Sequence, residues 1–139
     1  MGSFSDYLEA KLLDLVFSGA AFSPSGTIYL AMFTVTPTDA GGGTEATGGG
    51  YARLAVTNNA TNFPASTGTA PTTKNNGVAL TYPQASGDWS TGSNMVAFAW
   101  FDAVGGGNMY MWGALTQAKP VLSGDTPSVA INGFTATLD

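Results

Sequence analysis

Residues 94–116 read as two apolar runs around a glycine turn, and this pair limits the fold more than any other part of the chain. Along the first run Met95, Ala97, Ala99 and Phe101 are expected on one face, with Val96, Phe98 and Trp100 on the other. Successive strand residues point to opposite faces, so a run that is apolar at every position is a strand covered on both sides. The segment from Asp102 to Asn108 holds Gly105, Gly106 and Gly107, which are expected to supply the positive φ that a short hairpin connection needs. A doubly buried hairpin needs layers above and below it, which is a sandwich or a barrel.

The rest of the composition fits one such core. At 139 residues the chain is expected to form a single domain over residues 1–139, and the 8 Phe, 5 Tyr and 3 Trp are enough to fill it. Charged residues make up only 9%, against about 25% in an ordinary soluble domain. A surface of neutral Thr, Ser, Asn and Gly favours a protein whose contacts are extensive and shared. The net charge is −5, and Lys11, Arg53, Lys74 and Lys119 are far apart in sequence. Direct nucleic-acid binding is therefore not expected, because affinity for phosphates grows with clustered cations. With no cysteine, disulfides and Cys zinc sites are excluded. The apolar runs fall short of the roughly 20 residues of a membrane span, and the start lacks a basic segment followed by an apolar one. The expectation is a soluble chain without a membrane partner.

Phe4–Ser18 is the one expected helix. Ser3 or Ser5 suits its N-cap, Asp6 and Glu9 suit the positive end of its dipole, and Gly19 suits its end. Leu8, Leu12 and Leu15 recur at helical spacing, widened by Leu13, Val16 and Phe17. Such a stripe packs on the chain's own sheet or docks on a neighbouring subunit. Strands are expected at Thr27–Val35, stopped by Pro37, at Tyr51–Thr57, at Val78–Tyr82, in the two halves of the hairpin, at Val121–Leu122, at Ser128–Ile131 and at Phe134–Leu138. Residues 38–50 hold six glycines and read as a long exposed loop, and 58–76 as irregular; Trp89 is expected to cover one end of the core. One helix and about eight short strands make an all-β protein: an antiparallel β-sandwich or a jelly-roll-like barrel with an N-terminal helix.

Little in the chain suggests catalysis. Without His or Cys the usual triads and imidazole bases are excluded. A glycosidase would need two carboxylates facing each other across a sugar at about 5–9 Å, for which Glu45, Asp88 and Asp102 are the candidates. Asp102 and Asp125 stand beside glycine turns, where Asp is favoured for its bonds to nearby backbone. Asp39 and Glu45, with carbonyls between them, could wrap a calcium ion, but the string lacks the alternating acids of an EF-hand loop. The glycine clusters match neither a Walker loop nor a dinucleotide fingerprint, so no cofactor is expected. Trp89, Trp100, Tyr110 and Trp112 would stack on sugars only if exposed.

A series of short pieces runs through almost the whole chain. It starts with Ser5-Asp6-Tyr7-Leu8-Glu9-Ala10-Lys11-Leu12-Leu13-Asp14, Ile28-Tyr29-Leu30-Ala31-Met32-Phe33-Thr34 and Pro37-Thr38-Asp39. Gly49-Gly50-Tyr51-Ala52-Arg53, Asn62-Phe63-Pro64-Ala65, Phe101-Asp102-Ala103, Gly106-Gly107-Asn108 and Trp112-Gly113-Ala114-Leu115 follow. In this order they resemble a family of small tailed-phage virion proteins, often labelled tail fibre proteins, some of which are similar to head decoration or cement proteins. The resemblance implies a non-enzymatic structural protein of the virion. The expected role is capsid decoration, with homotrimers bound across major capsid protein subunits outside the head; the alternative is a tail fibre or tail-tip component, with or without host glycan contacts. The interaction candidates are Leu8, Leu12 and Leu15 in the helix, Asp39 and Glu45 in the glycine loop, and Tyr51 and Arg53 just after it.

Overall fold

The computed structural model describes residues 3–138. Its centre is the strand pair β2 (Thr27–Val35) and β7 (Met95–Phe101), antiparallel from Tyr29 opposite Phe101 to Phe33 opposite Ala97. β2 has the bounds expected from its period of two. β7 turns through residues 102–108 into β8 (Met109–Lys119). In that turn Gly106 and Gly107 adopt positive φ and Gly105 does not, which corrects the expectation for all three. A side chain at Gly107 would collide with the Asp102 carboxylate, which itself accepts bonds from the backbone N–H and the side-chain amide of Asn108, both at 2.7 Å.

The antiparallel sheet runs β1 (Ser3–Phe4), β8, β7, β2, and β2 then carries β3 (Thr44–Glu45) at one end and β4 (Leu54–Thr57) at the other. Two short ribbons accompany it. β5 (Thr72–Asn75) pairs with β10 (Thr135–Leu138), and β6 (Leu80–Thr81) pairs with β9 (Ser128–Val129). One face of the sheet and these ribbons share the main core, in which Ile28, Leu30, Met32, Val56 and Trp100 meet Phe63, Leu80, Tyr82, Trp89 and Phe134. The opposite face holds a thinner cluster of Ala31, Phe33, Ala97, Ala99 and Met109. The fold is all-β, a sandwich whose second layer is made of ribbons and loops, with one helix.

Several expectations are corrected. Met95 lies in the main core while Val96 packs on the other face with Ala97. The register shifts between Met95 and Ala97, and the irregularity reverses the alternation there. Residues 58–76, read as irregular, end in β5, whose Thr-Thr-Lys-Asn has no apolar alternation and is fixed by its distant partner β10. Val121–Leu122 is not a strand; Val121 is buried from a loop, where its carbonyl accepts from Trp89 N–H at 2.9 Å. Residues 38–50 include β3 and the buried Ala46 and are not simply an exposed loop. At Gly49, with φ +55°, a side chain would strike the Gly87 backbone, so this turn is packed against another.

Trp89 sits as expected at the core, edge-on to Tyr51 and Tyr82 at centroid distances of 4.9 and 5.2 Å. Tyr82 donates to the Leu30 carbonyl at 2.7 Å, and burial pushes its phenol well above its ordinary pKa, with smaller contributions from Tyr51 and Glu45.

A polar node joins the ribbons. Asn76 has no exposed surface; its amide donates to the carbonyls of Val78 and Ala130, both at 2.8 Å, and its oxygen accepts from Phe134 N–H at 2.8 Å. Of the three partners Phe134 N–H is buried and has this bond in place of a ladder partner, whereas the Val78 carbonyl is part-buried and the Ala130 carbonyl also accepts from Gly133 N–H. Removing the side chain therefore mainly orphans the Phe134 amide and empties a fully buried site. Asn76→Ala is expected to cost about 2–4 kcal/mol in urea denaturation. A loss within experimental error of zero would show that water replaces the amide.

Candidate functional site

Helix α1 (Asp6–Phe17) starts two residues later than the expected Phe4, because Ser3–Phe4 pair with β8 as β1. Of the two cap candidates it is Ser5 that serves, its hydroxyl accepting from Leu8 N–H at 3.2 Å. That hydroxyl is buried and donates to the Met109 carbonyl, while Ser5 N–H donates to Tyr110 at 3.0 Å. Asp6 N–H, one of the helix amides without an internal partner, donates to the Asp39 carbonyl at 3.0 Å. The base of the helix is thereby tied to β8 and to the glycine loop. Tyr7 stacks on Tyr110 at 6.3 Å, and Phe22 meets both rings edge-on.

The far half of α1 is unsupported. Leu8 and Leu12 are half-buried and Leu15 is exposed, so the expected stripe is only partly covered. Leu13, Val16 and Phe17 are 59%, 69% and 82% exposed, and α1 has no fully buried residue.

On the thinner face of the sheet a cleft of about 570 Å³ opens between the start of α1, the glycine loop and the hairpin turn. Asp39, Glu45 and Arg53 line it, together with Phe33 and Phe101. Four of the seven interaction candidates come together around this cleft. Arg53 and Glu45 form a two-pronged pair at 2.8 Å for each nitrogen, Nε to Oε1 and Nη2 to Oε2. Tyr51 also donates to Glu45 Oε1 at 2.8 Å and accepts from Met32 N–H at 3.1 Å. The remaining nitrogen of Arg53 donates to the carbonyls of Ala103 at 3.0 Å and Gly106 at 2.8 Å, and its guanidinium lies 3.7 Å from the centre of the Phe101 ring.

This arrangement is a clamp. Arg53, whose side chain is only 6% exposed, joins β3, β4 and the hairpin turn, and its donors are spent inside the chain. Asp39 accepts from the indole N–H of Trp112 at 2.8 Å. Both carboxylates of the calcium hypothesis therefore have protein partners, and Arg53 already places a cation on Glu45. Among the described residues no group of three His, Cys, Asp or Glu side chains is placed to hold a metal. The other carboxylates considered for catalysis are engaged as well, Asp102 by Asn108 and Asp88 by Ser123 N–H at 2.9 Å.

Of the aromatics considered for sugar stacking, Trp89 and Trp100 are buried and their indole N–H groups have no partner, while Tyr110 and Trp112 are half-buried and bonded within the chain. Sequence reasoning brought Glu45, Tyr51 and Arg53 forward but missed Phe101, Ala103 and Gly106. They lie some fifty positions from Arg53, and no local pattern announces a pairing at that distance.

Burial pulls the Glu45 carboxyl upward in pKa, but hydrogen bonds from Arg53 and Tyr51 and the charge of Arg53 outweigh it, leaving Glu45 below the ordinary 4.5. A lowered carboxyl stabilises the fold fully above its unfolded value, and the contribution is lost as pH falls through the folded one. Burial pushes the Tyr51 phenol up, and the Glu45 charge adds to that, so Tyr51 stays a donor throughout.

Glu45→Gln is expected to cost about 1–3 kcal/mol at pH 7, less than breaking a fully buried pair because Glu45 is partly open to solvent. The gap from the unsubstituted chain should narrow as pH falls below 4.5, as measured by urea denaturation at pH 7 and pH 3. An equal gap at both would rule out the ionised pair as its source.

A comparison with protein families gives a match to the family described as Podophage GP4 fiber I protein gp80, over residues 3–137. No curated protein matches the chain significantly.

Proposed function

The chain belongs to this fibre-protein family, and from that premise we propose that it is a non-enzymatic structural subunit of a phage tail fibre, working as a homo-oligomer of three copies. The observation that carries the reading is the family match, which covers residues 3–137 of 139. The family description supports the fibre over the capsid exterior, and the reading as a decoration protein bound to the major capsid protein gives way to it.

The site chemistry agrees with a structural role. Arg53, Glu45, Asp39 and Asp102 use their polar atoms to hold loops in place. The exposed apolar end of α1 is the surface we assign to contact between copies, which carries Leu15 of the interaction candidates with it. Such an apolar patch is costly on an isolated molecule and useful where it is covered in an assembly.

Immunogold labelling or cryo-EM of intact virions tests the position. Label along the tail fibre is expected. Label spread over the head, with none on the tail, would reverse the assignment and restore the decoration role.

A further inference from the structure

The chain carries both halves of a contact. One half is the knob at the end of α1, formed by Leu13, Val16 and Phe17. The other is a groove of about 230 Å³ between the base of the same helix and the β5–β10 ribbon, lined by Leu8, Phe63, Met111, Phe134 and Ala136, with Lys74 among its walls. The groove is nearly all apolar and large enough to admit an aromatic side chain.

The knob cannot enter the groove of its own molecule. Leu8 already lines that groove, and Phe17 stands nine residues further along the same helix, about 13 Å away at 1.5 Å per residue. A second copy can supply it. Charge favours that occupant: the end of α1 has no basic residue in its last turn, so its carbonyl dipoles and Asp14 leave the knob negative. Lys74 is half-buried, and among the described residues it makes no ion pair.

We infer that the knob at Leu13, Val16 and Phe17 of one copy seats in the Leu8–Phe134 groove of the next, with Asp14 facing Lys74. The inference rests on the self-association proposed above and names its two surfaces. Because they are different patches, the contact is heterologous, and repeated with a three-fold rotation it closes into a ring. Each contact is small beside the roughly 1,600 Å² of a standard stable interface, so closure of the ring is what holds the three together.

The chain has no cysteine, which makes cross-linking clean. Phe17→Cys and Ala136→Cys variants, checked for unchanged near-ultraviolet circular dichroism, are oxidised separately and mixed. Disulfide-linked pairs are expected in the mixture and not in Phe17→Cys alone. Linkage of Phe17→Cys with itself as fast as in the mixture would overturn the groove and leave self-association through α1 standing. A trimer by sedimentation with no linkage in any arm would overturn the inference alone; a monomer with no linkage would overturn the self-association as well. As a second measurement, Asp14→Lys and Lys74→Glu should each raise the trimer dissociation constant about tenfold, and the combined variant should recover it. Failure of the combination to recover would remove the charge pairing and count against the seat.

Discussion

The structure depends on a pair of strands that both faces of the sheet must cover. β2 and β7 are buried above and below along most of their length, and neither face alone provides a complete core. The large side chains, Leu30, Met32 and Trp100, go to one face and meet the ribbons and the loops that carry Phe63, Tyr82 and Trp89. The small ones, Ala31, Ala97 and Ala99, go to the other, where there is little room and a thin cover is enough. The asymmetry decides what the rest of the chain does. On the thick side the cover is apolar and joined by Asn76; on the thin side it is polar and joined by Arg53.

The two nodes solve the same problem by different means. A loop that covers a sheet has backbone groups that must find partners, and each node supplies several from one side chain. Asn76 does so where water is excluded, with a neutral amide whose donors and acceptor are all used. Arg53 does so at the wall of an open cleft, where a charge is tolerated because Glu45 balances it and solvent reaches the pair. Charged residues are scarce in this chain, and the pair shows where a charge is needed.

What could be read in the sequence follows from how local each signal is. A serine cap, the acids of the first turn and the apolar spacing of α1 lie within a few residues of each other, and the helix is there. Its start moves from Phe4 to Asp6 because Ser3–Phe4 pair with β8, a strand some hundred residues away. β2 and β7 are long enough for their alternation to be read, except at Met95, where a shift against β8 has no local cause. Thr72–Asn75 has no such pattern, because its residues are polar and its partner lies sixty residues on. The glycines of 38–50 read as slack, whereas Gly49 is there because Gly87 passes close by. In the cleft, Glu45, Tyr51 and Arg53 are near neighbours in sequence and were found together; Phe101 and the carbonyls of Ala103 and Gly106 become their partners only once the sheet is formed.

The three tryptophans divide the molecule between them. Trp89 and Trp100 have apolar surroundings and unbonded indoles in the main core, while Trp112 is on the opposite face with its N–H on Asp39, beside the carbonyl that holds the first turn of α1. Indole emission follows the polarity around the ring, so the thick and thin sides of the sheet carry separate optical reporters. The fluorescence of Trp112 therefore reads the seating of the helix base independently of the core.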